Sequence, residues 1–184
     1  MAVITRVNQL NLNAVRPQRG GIIMYTVFEG VLYYGLCIDA RTHDITDGGG
    51  TIDYKTDRTA IHGAIREFEE ETGEIFEHIT MEQIKLCPVI YDKKNLIVFI
   101  HVNVNPNEVS RKFNERYKVL YEQQMQEARR LGRRPRDLPE VCGITWLTQD
   151  AFQSSIDKPR VFYSRVRKFL SQPLAADSKF YELL

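Results

Sequence analysis

The chain has 184 residues, of which 43% are hydrophobic and 27% are charged, and its formal net charge is +1. This composition is that of a globular protein and argues against a disordered chain. Because the charge is near neutral, any preference for nucleic acid or for a membrane surface has to come from a local patch. The length suits one compact domain spanning residues 1–184, with room for a core.

The sequence contains no apolar run long enough to span a bilayer, and its start has no signal-peptide pattern, so we expect no membrane partner. Cys37, Cys87 and Cys142 lie far apart in strand-like stretches, a distribution that fits neither a disulfide framework nor a metal site. We interpret them as reduced core residues, and this predicts a cytoplasmic location. The pattern leaves the oligomeric state open.

The predicted elements begin after an irregular, polar stretch of about twenty residues. Residues 21–39 are predicted to form two strands joined by a turn at Glu29 and Gly30. The turn-rich segment that follows contains three consecutive glycines, at positions 48 to 50. Glycines in a row remove side chains where the backbone has to pass close to another group.

A helical pattern extends over residues 59–72, and Gly73 is a typical stop signal. Its apolar stripe consists of Ile61, Ile65, Phe68 and Thr72, with Ala64 beside it. This spacing predicts a helix with one face toward a core and its charged residues on the other side.

The next segment predicts two strands at residues 83–91 and 95–104, the first of them bent or broken at Pro88. Because residues 95–104 are almost continuously apolar, we expect them to form a central strand. A long helix is predicted for residues 107–131, ended by Gly132. Its approximate apolar stripe is Phe113, Tyr117, Leu120, Met125, Ala128 and Leu131.

A strand at residues 140–148 and a short amphipathic helix at residues 159–170, which Pro159 would begin, complete the predicted elements. Strands and helices alternate along the chain in the order β-β, turn, α, β-β, α, β, α. This order predicts a mixed α/β domain.

Glutamates are concentrated on the helix at residues 59–72 and just beyond it, with five between positions 67 and 74. Positions i, i+3 and i+4 of a helix face the same way, so Glu67, Glu70 and Glu71 form one triangle of carboxylates. Such a triangle on a rigid helix suits Mg²⁺ or Mn²⁺, which prefer oxygen ligands. A solvated acidic face would explain the same spacing, and the spacing alone does not decide between the two.

The string REFEEETG, residues 66–73, resembles the core of the Nudix box, G-x5-E-x7-R-E-U-x-E-E-x-G-U, in which U is a bulky aliphatic or aromatic residue. Six of the nine named positions are filled, by Arg66, Glu67, Phe68, Glu70, Glu71 and Gly73. The hairpin before the box and the strand at residues 140–148 also resemble the strands that flank it in that family. The resemblance implies an α/β/α sandwich with a mixed sheet and a helical, basic insertion near residues 107–136.

Three positions depart from the box: Arg58 stands at its first glutamate, Ile52 at its first glycine and Glu74 at its last bulky residue. In the family the missing glutamate pairs with the box arginine, which is Arg66 here. Asp57, or Asp53 in a loop about two residues longer than usual, is expected to take over that pairing. The departures leave the three carboxylates of the predicted metal site intact.

The resemblance implies a metal site made of Glu67, Glu70, Glu71 and the backbone carbonyl of Gly50. It also implies that Arg66 orients the cluster and that the ion activates a water molecule to attack a diphosphate linkage. A carboxylate has to take the proton of that water, and the candidates are Glu70 and the more distant Glu140. An ordinary charged residue at the start of a strand explains Glu140 equally well.

Residues 111–136 contain nine Lys or Arg against three Glu, an excess of +6 in a chain of net charge +1. The densest part is Arg129, Arg130, Arg133, Arg134 and Arg136. We predict that these arginines bind substrate phosphates beyond the scissile pair, with a solvated charged face as the alternative. Aromatic neighbours such as Phe113, Tyr117 and Tyr121 could stack on a base, although their helical spacing favours core packing.

The leading interpretation is a divalent-metal-dependent Nudix hydrolase that cleaves a diphosphate linkage in a nucleotide-like substrate. The basic insertion favours a polyanion such as the capped 5′ end of RNA, and together with the small size it resembles viral members of the family. ADP-ribose, dinucleoside polyphosphates, nucleoside triphosphates and diphosphoinositol polyphosphates are alternative substrates. A non-catalytic module that binds RNA or a nucleotide is the alternative of another class, and a structural acidic helix without metal is a third.

Overall fold

The computed structural model describes residues 2–73, 75–76, 78–135, 138–158, 161–175 and 179–184. The strands found there are β1 Val3–Arg6, β2 Arg19–Phe28, β3 Val31–Asp39, β4 Ile45–Thr46, β5 Gly48–Thr51, β6 Pro88–Tyr91, β7 Asn95–His101 and β8 Val141–Thr148. The helices are α1 Ala60–Thr72, α2 Met81–Ile84, α3 Pro106–Arg130, α4 Gln149–Asp157 and α5 Ser164–Leu170. Two short 3₁₀ turns lie at Val7–Gln9 and Lys179–Glu182.

The described strands form one mixed sheet in the order β1-β6-β7-β2-β3-β4, with β5 also paired to β2 and β8 also paired to β3. The pairing of β2 with β7 is parallel, and the other pairings are antiparallel. The two strands predicted for residues 21–39 are confirmed. Their turn residues, Glu29 and Gly30, both have positive φ, as a tight two-residue hairpin turn requires.

The strand β2 changes its partner along its length, and this change positions the glycine-rich segment. Its second half, Met24 to Phe28, pairs with β3, whereas its first half, Arg19 to Ile22, pairs with the glycine strand β5. The strands β2 and β3 therefore separate where β5 begins. Because α1 packs against both β2 and β5, the three glycines lie directly under the glutamate-rich helix.

Two hydrophobic cores lie on opposite faces of the sheet, which confirms the predicted α/β/α layers. One core includes the buried faces of α1 and α3, and the other includes those of α4 and α5. The central strand β7 serves both, since Leu96 and Val98 face the first core while Ile97 and Phe99 face the second. The continuous apolar run of this strand follows from that double burial.

The helix α1 begins and ends as its sequence predicts. Thr59 is its N-cap, and the Thr59 hydroxyl accepts a hydrogen bond from the His62 backbone N–H. Gly73 ends the helix in the left-handed region, at φ 63°. The predicted apolar stripe is buried, together with Ala60 and Gly63.

The long helix α3 is attached to the sheet mainly through its first half. Asn105 caps it, Pro106 occupies its first turn, and the Ser110 hydroxyl donates to the Ile144 carbonyl of β8 at 2.9 Å. Val109 and Phe113 reach the core. The rest of the predicted apolar stripe is only partly buried, because Ala128 is buried but Leu131 is exposed. The helix predicted near residues 107–136 is confirmed as far as α3 extends, and its status as an insertion stays a prediction.

Several short elements differ from their predictions. Residues 83–91 are not one strand: Thr80 and Gln83 form a capping box that starts α2, and only Pro88–Tyr91 is strand. The irregular first segment contains β1, a four-residue edge strand, and α4 was not predicted. The helix α5 starts at Ser164 rather than at Pro159, which lies outside the described residues. Such elements are too short for periodicity to reveal.

The three cysteines are free thiols, as predicted, with Cys37 buried and Cys87 and Cys142 partly buried. None of the helices in the described ranges is both long and apolar enough to cross a membrane.

Candidate active site

The approach of α1 to the strand β5 is possible because β5 has no side chains at its centre. Gly49 and Gly50 pair with Gly21 and Gly20 of β2. A Cβ atom on Gly49 would collide with the Cα atom of Gly21, and a Cβ atom on Gly50 would collide with the Glu67 carboxylate. The prediction that the backbone passes close to another group at this point is confirmed.

A buried ion pair between Arg19 and Asp47 holds β5 in place from the face of the sheet opposite α1. The Arg19 guanidinium donates two parallel hydrogen bonds to the Asp47 carboxylate, at 2.6 and 2.7 Å, and a third to the Gly49 carbonyl at 2.7 Å. Both side chains are buried, and this bidentate geometry is the strongest arrangement such a pair can adopt. Sequence reasoning missed this pair, because its members are 28 residues apart and belong to no shared motif.

Glu71 binds the backbone of the glycine strand. Its Oε2 atom accepts a hydrogen bond from the Gly49 N–H at 2.7 Å. Burial raises the pKa of Glu71 to about 9, and the negative charge of Asp47 adds to this effect. The Glu71 carboxylate thus lies where negative charge is disfavoured unless a cation compensates it.

Arg66 joins the carboxylates of the helix to the loop before it. Its Nε and Nη2 atoms donate to the two oxygens of Asp57, at 3.0 and 2.9 Å. Its Nη2 also donates to the Thr51 carbonyl, and its Nη1 donates to Glu67 Oε1 at 3.0 Å and to Glu70 Oε2 at 3.1 Å. One guanidinium therefore orders two of the three predicted ligands.

The expectation that an aspartate replaces the missing box glutamate is confirmed, and Asp57 rather than Asp53 is that residue. The Asp57 carboxylate is buried and also accepts a hydrogen bond from the Asp53 backbone N–H at 2.9 Å. Its hydrogen bonds from Arg66 hold the pKa of Asp57 below its ordinary value and raise that of Arg66. Burial raises the pKa of Glu67, although Arg66 opposes the shift.

The three predicted ligands differ in exposure and in their present partners. Glu67 and Glu70 share one guanidinium nitrogen of Arg66, and the Glu70 side chain is 60% exposed. Among the described residues, no three His, Cys, Asp or Glu side chains are close enough to hold a metal ion as they stand. An ion at this site would require Glu70 to rotate away from Arg66, a small change for an exposed side chain.

The donor set nevertheless fits a hard divalent cation. The two hydrogen-bonded networks contain five carboxylates, of Asp47, Asp57, Glu67, Glu70 and Glu71, against the guanidinium groups of Arg19 and Arg66. With all five ionised, five negative and two positive charges leave a formal charge of −3. Carboxylate oxygens in such excess suit Mg²⁺ or Mn²⁺. The Gly49 and Thr51 carbonyls on either side of Gly50 are already occupied by the two arginines.

Glu69 and Glu74, the other two glutamates between positions 67 and 74, are not among the predicted metal ligands. Glu69 is not part of the cluster, because its carboxylate accepts from the Ile79 N–H at 3.1 Å and pairs with His78. Glu74 lies outside the described residues. The concentration of glutamates on this helix therefore serves three partners: an arginine, the glycine strand and the loop that follows α1.

The structure places the other predicted site residues apart from this cluster. Glu140 is exposed immediately before β8 and is one of the residues that line a pocket of about 630 Å³. Within the described ranges, no hydrogen bond or ion pair joins Glu140 to the glutamates of α1. The basic residues Arg129, Arg130, Arg133 and Arg134 are exposed at and beyond the end of α3, and Arg136 lies outside the described residues. Their roles stay predictions.

Comparisons with known proteins found similar chains only among solved structures. No family model and no curated protein matches the chain. A C. elegans Ap4A hydrolase structure is 18% identical with a TM-score of 0.42, over 85% of this chain and 97% of that one. A binary complex of a C. elegans Ap4A hydrolase is 16% identical with a TM-score of 0.44, over 84% and 93%.

The NUDIX domain of Shewanella oneidensis NrtR, complexed with ADP ribose, is 12% identical with a TM-score of 0.40, over 91% of this chain and 95% of that one. Overlaps of this size do not identify an activity, and the function depends on the side chains of the site itself.

Replacing Asp57 by Asn should weaken the orientation of Arg66. Because Arg66 is about a third exposed, we expect a loss of only about 1 kcal/mol in the free energy of unfolding at pH 7. A carboxylate with a lowered folded-state pKa stabilises above its unfolded pKa of about 4, and this contribution disappears as the pH falls through the folded-state pKa. The difference between wild type and variant, measured by urea unfolding, should therefore vanish well below pH 4.

The matched control is Asp53→Asn, because the Asp53 carboxylate accepts from the Lys55 N–H and does not contact Arg66. This control should unfold like the wild type at every pH. If the Asp57→Asn variant is still less stable than the wild type by the same free energy at pH 2.5, the charge of Asp57 is not the cause of the difference.

Proposed function

We propose that the protein is a Mg²⁺- or Mn²⁺-dependent hydrolase of the Nudix type, which cleaves a diphosphate linkage in a nucleotide-like substrate. The observation that supports this proposal most directly is the position of three carboxylates of α1 against the glycine strand. Glu67 lies against Gly50, Glu71 accepts from Gly49, and Glu70 shares Arg66 with Glu67. A merely solvated acidic face would not require glycines beneath it or an arginine inside it.

The bound ion would compensate the charge of the diphosphate and lower the pKa of the attacking water. The residues of the chain perform the remaining tasks. Asp57 and the Thr51 carbonyl hold Arg66, and Arg66 holds Glu67 beside Gly50. Glu70, the most exposed of the three carboxylates, is free to leave Arg66 and to accept the proton of the water at Oε2. Glu140 is the second candidate for this base.

We further propose that residues 1–184 act as one catalytic unit in the cytoplasm. The three free cysteines support a reducing compartment, since none of them pairs with another. The continuous sheet supports a single unit, because its strands come from positions between Val3 and Thr148.

Titration with MnCl₂ tests the metal site without any substrate. Binding at a hundred times the dissociation constant should stabilise the wild type by about 2.7 kcal/mol, seen as a higher Tm. Glu71→Gln keeps an oxygen for the Gly49 N–H and removes a partly buried charge beside Asp47. We expect this variant to be at least as stable as the wild type without ion and to lose most of the gain from Mn²⁺.

The control for the titration is Glu82→Gln, which removes a carboxylate on the exposed side of α2, where it pairs with Lys85. This control should retain the full response to Mn²⁺. If Glu71→Gln responds to Mn²⁺ as the wild type does, Glu71 is not a ligand.

Turnover tests the proposed base. Glu70→Gln should lower kcat by roughly 10²- to 10⁴-fold, the usual contribution of a general base, with little change in the free energy of unfolding. Glu69→Gln on the same helix is the control, since an amide oxygen still accepts from the Ile79 N–H. The substrates are ADP-ribose, a dinucleoside polyphosphate, a diphosphoinositol polyphosphate and capped RNA, with products identified by mass. If Glu70→Gln retains more than a few per cent of kcat, Glu70 is not the base.

Absence of metal-dependent turnover on every one of these substrates, with nucleotide or RNA binding intact, would instead establish the non-catalytic module. Absence of both turnover and Mn²⁺ binding would leave α1 as a structural acidic helix.

Capped RNA is favoured among the larger substrates by the arginines that follow the middle of α3. Arg129, Arg130, Arg133 and Arg134 are exposed, and none of them forms an ion pair with a carboxylate of the described residues. Free guanidinium groups in a row are typical of surfaces that bind a phosphate backbone. The prediction of phosphate contacts for these residues, and for Arg136, therefore stays part of the proposal.

The double variant Arg133→Glu and Arg134→Glu should weaken the binding of capped RNA and reduce the salt dependence of log Kd by about one unit per lost phosphate contact. A free nucleotide should bind as before. The double variant Lys93→Glu and Lys94→Glu changes the same charge in the turn between β6 and β7 and serves as the control. An equal loss for RNA and nucleotide would contradict a role in RNA binding.

A further inference from the structure

The helix α3 forms one wall of a pocket of about 630 Å³ that neither the metal site nor the arginines use. Its lining includes Asp39, Arg41, Tyr117, Tyr121, Leu138 and Glu140. This volume falls in the range of sites for small organic ligands, which combine apolar or aromatic walls with a few polar groups.

Two tyrosines give this pocket an aromatic wall. Tyr117 and Tyr121, one helical turn apart, have nearly parallel rings with centroids 5.8 Å apart and an interplanar angle of 28°. The core side of α3 is supplied by Val109 and Phe113, whereas Tyr121 is 37% exposed. Core packing, the interpretation favoured by their spacing, therefore does not account for Tyr121. Its ring is available to a planar ligand.

The polar groups of the pocket include one cation and one carboxylate that have no ion-pair partner among the described residues. These are the Arg41 guanidinium and the Glu140 carboxylate, both of residues that line the pocket. Their two segments are joined by a hydrogen bond from the Ala40 N–H to the Glu140 carbonyl at 2.7 Å. The Asp39 carboxylate is already engaged, since it accepts from the Arg41 and Thr42 N–H groups and fixes the rim.

The pocket lies on the same face of the sheet as α1. Cys37 of β3 faces Gly48, the first residue of the glycine strand, and Asp39 follows two residues later, about 7 Å along the strand. The Arg116 side chain of α3 lies against Gly73, where α1 ends. A ligand in the pocket would therefore lie on the same face of the sheet as the helix that carries Glu67, Glu70 and Glu71.

We propose that this pocket binds the nucleoside part of the substrate, with the base stacked on Tyr121 and the ribose hydroxyls donating to Glu140. This inference rests on the proposed function and narrows it, because it selects nucleoside diphosphate derivatives over diphosphates that lack an aromatic ring. It also gives Glu140 a role in binding rather than in proton transfer.

Calorimetric titration of the full chain with adenosine 5′-monophosphate and with ribose 5-phosphate tests the pocket without turnover. The nucleotide should bind at least tenfold more tightly to the wild type than the sugar phosphate does. Tyr121→Leu should weaken the affinity for the nucleotide by roughly 5- to 150-fold, the range for loss of one base–aromatic stack. Its affinity for the sugar phosphate should be that of the wild type. Tyr121→Phe should bind both ligands as the wild type does.

The control is Val119→Ala, an exposed position on α3 outside the pocket. Equal binding of the two ligands to the wild type would overturn the proposal without recourse to any variant. So would a Tyr121→Leu variant that binds the nucleotide normally. The protein could also bind the nucleotide through Tyr121 and yet show no hydrolytic activity. That result would overturn the proposed function and support the nucleoside pocket.

In turnover, Tyr121→Leu should raise KM for a dinucleoside polyphosphate and leave kcat unchanged. Its KM for a diphosphoinositol polyphosphate should not change. A parallel loss on both substrates would contradict recognition of the base.

Discussion

The site depends on one steric constraint: the carboxylates of α1 can meet the sheet only where the sheet has no side chains. A Cβ atom on Gly50 would occupy the space of the Glu67 carboxylate, and one on Gly49 would push β5 off β2. The glycine strand in turn needs an external hold, since glycine contributes no packing and costs conformational entropy. Arg19 supplies that hold through Asp47 and the Gly49 carbonyl. The position of the helix, the close approach and the buried ion pair therefore form one unit.

Charge accumulates around this contact in a way that a merely structural acidic helix would avoid. Arg19 and Arg66 donate to four carboxylates, and a fifth, that of Glu71, accepts from the Gly49 N–H. Two guanidinium groups therefore neutralise only part of the charge of these carboxylates. A structural helix would gain by replacing Glu71, which is partly buried beside Asp47, with a neutral residue. Retaining a carboxylate there is understandable if a cation completes the site. The same reasoning separates Glu69, whose partners in the following loop make its charge useful without any ion.

Local signals made α1 predictable from sequence, because its stripe, its cap at Thr59 and its stop at Gly73 all lie within one window. The pairing of Arg66 with Asp57 could also be anticipated, since the box demands a carboxylate and the loop offers only two nearby. Arg19 and Asp47 could not, because their contact depends on the register of β2 against β5. Periodicity likewise assigned Tyr121 to the core, since a helical stripe does not distinguish a residue that faces a core from one that faces a pocket.

The helix α3 is buried mainly in its first half, and this separates the residues proposed to recognise the substrate from those that hold the fold. Its first half is attached to β8 through Ser110, Val109 and Phe113, whereas its later turns bury little besides Ala128. Tyr117 still packs against the first core, whereas Tyr121 and, further on, the unpaired arginines are exposed. Residues that contribute little to the core can change without loss of the fold. Under the proposed function, a helix of this kind lets recognition vary while the carboxylates of α1 remain tied to the glycine strand.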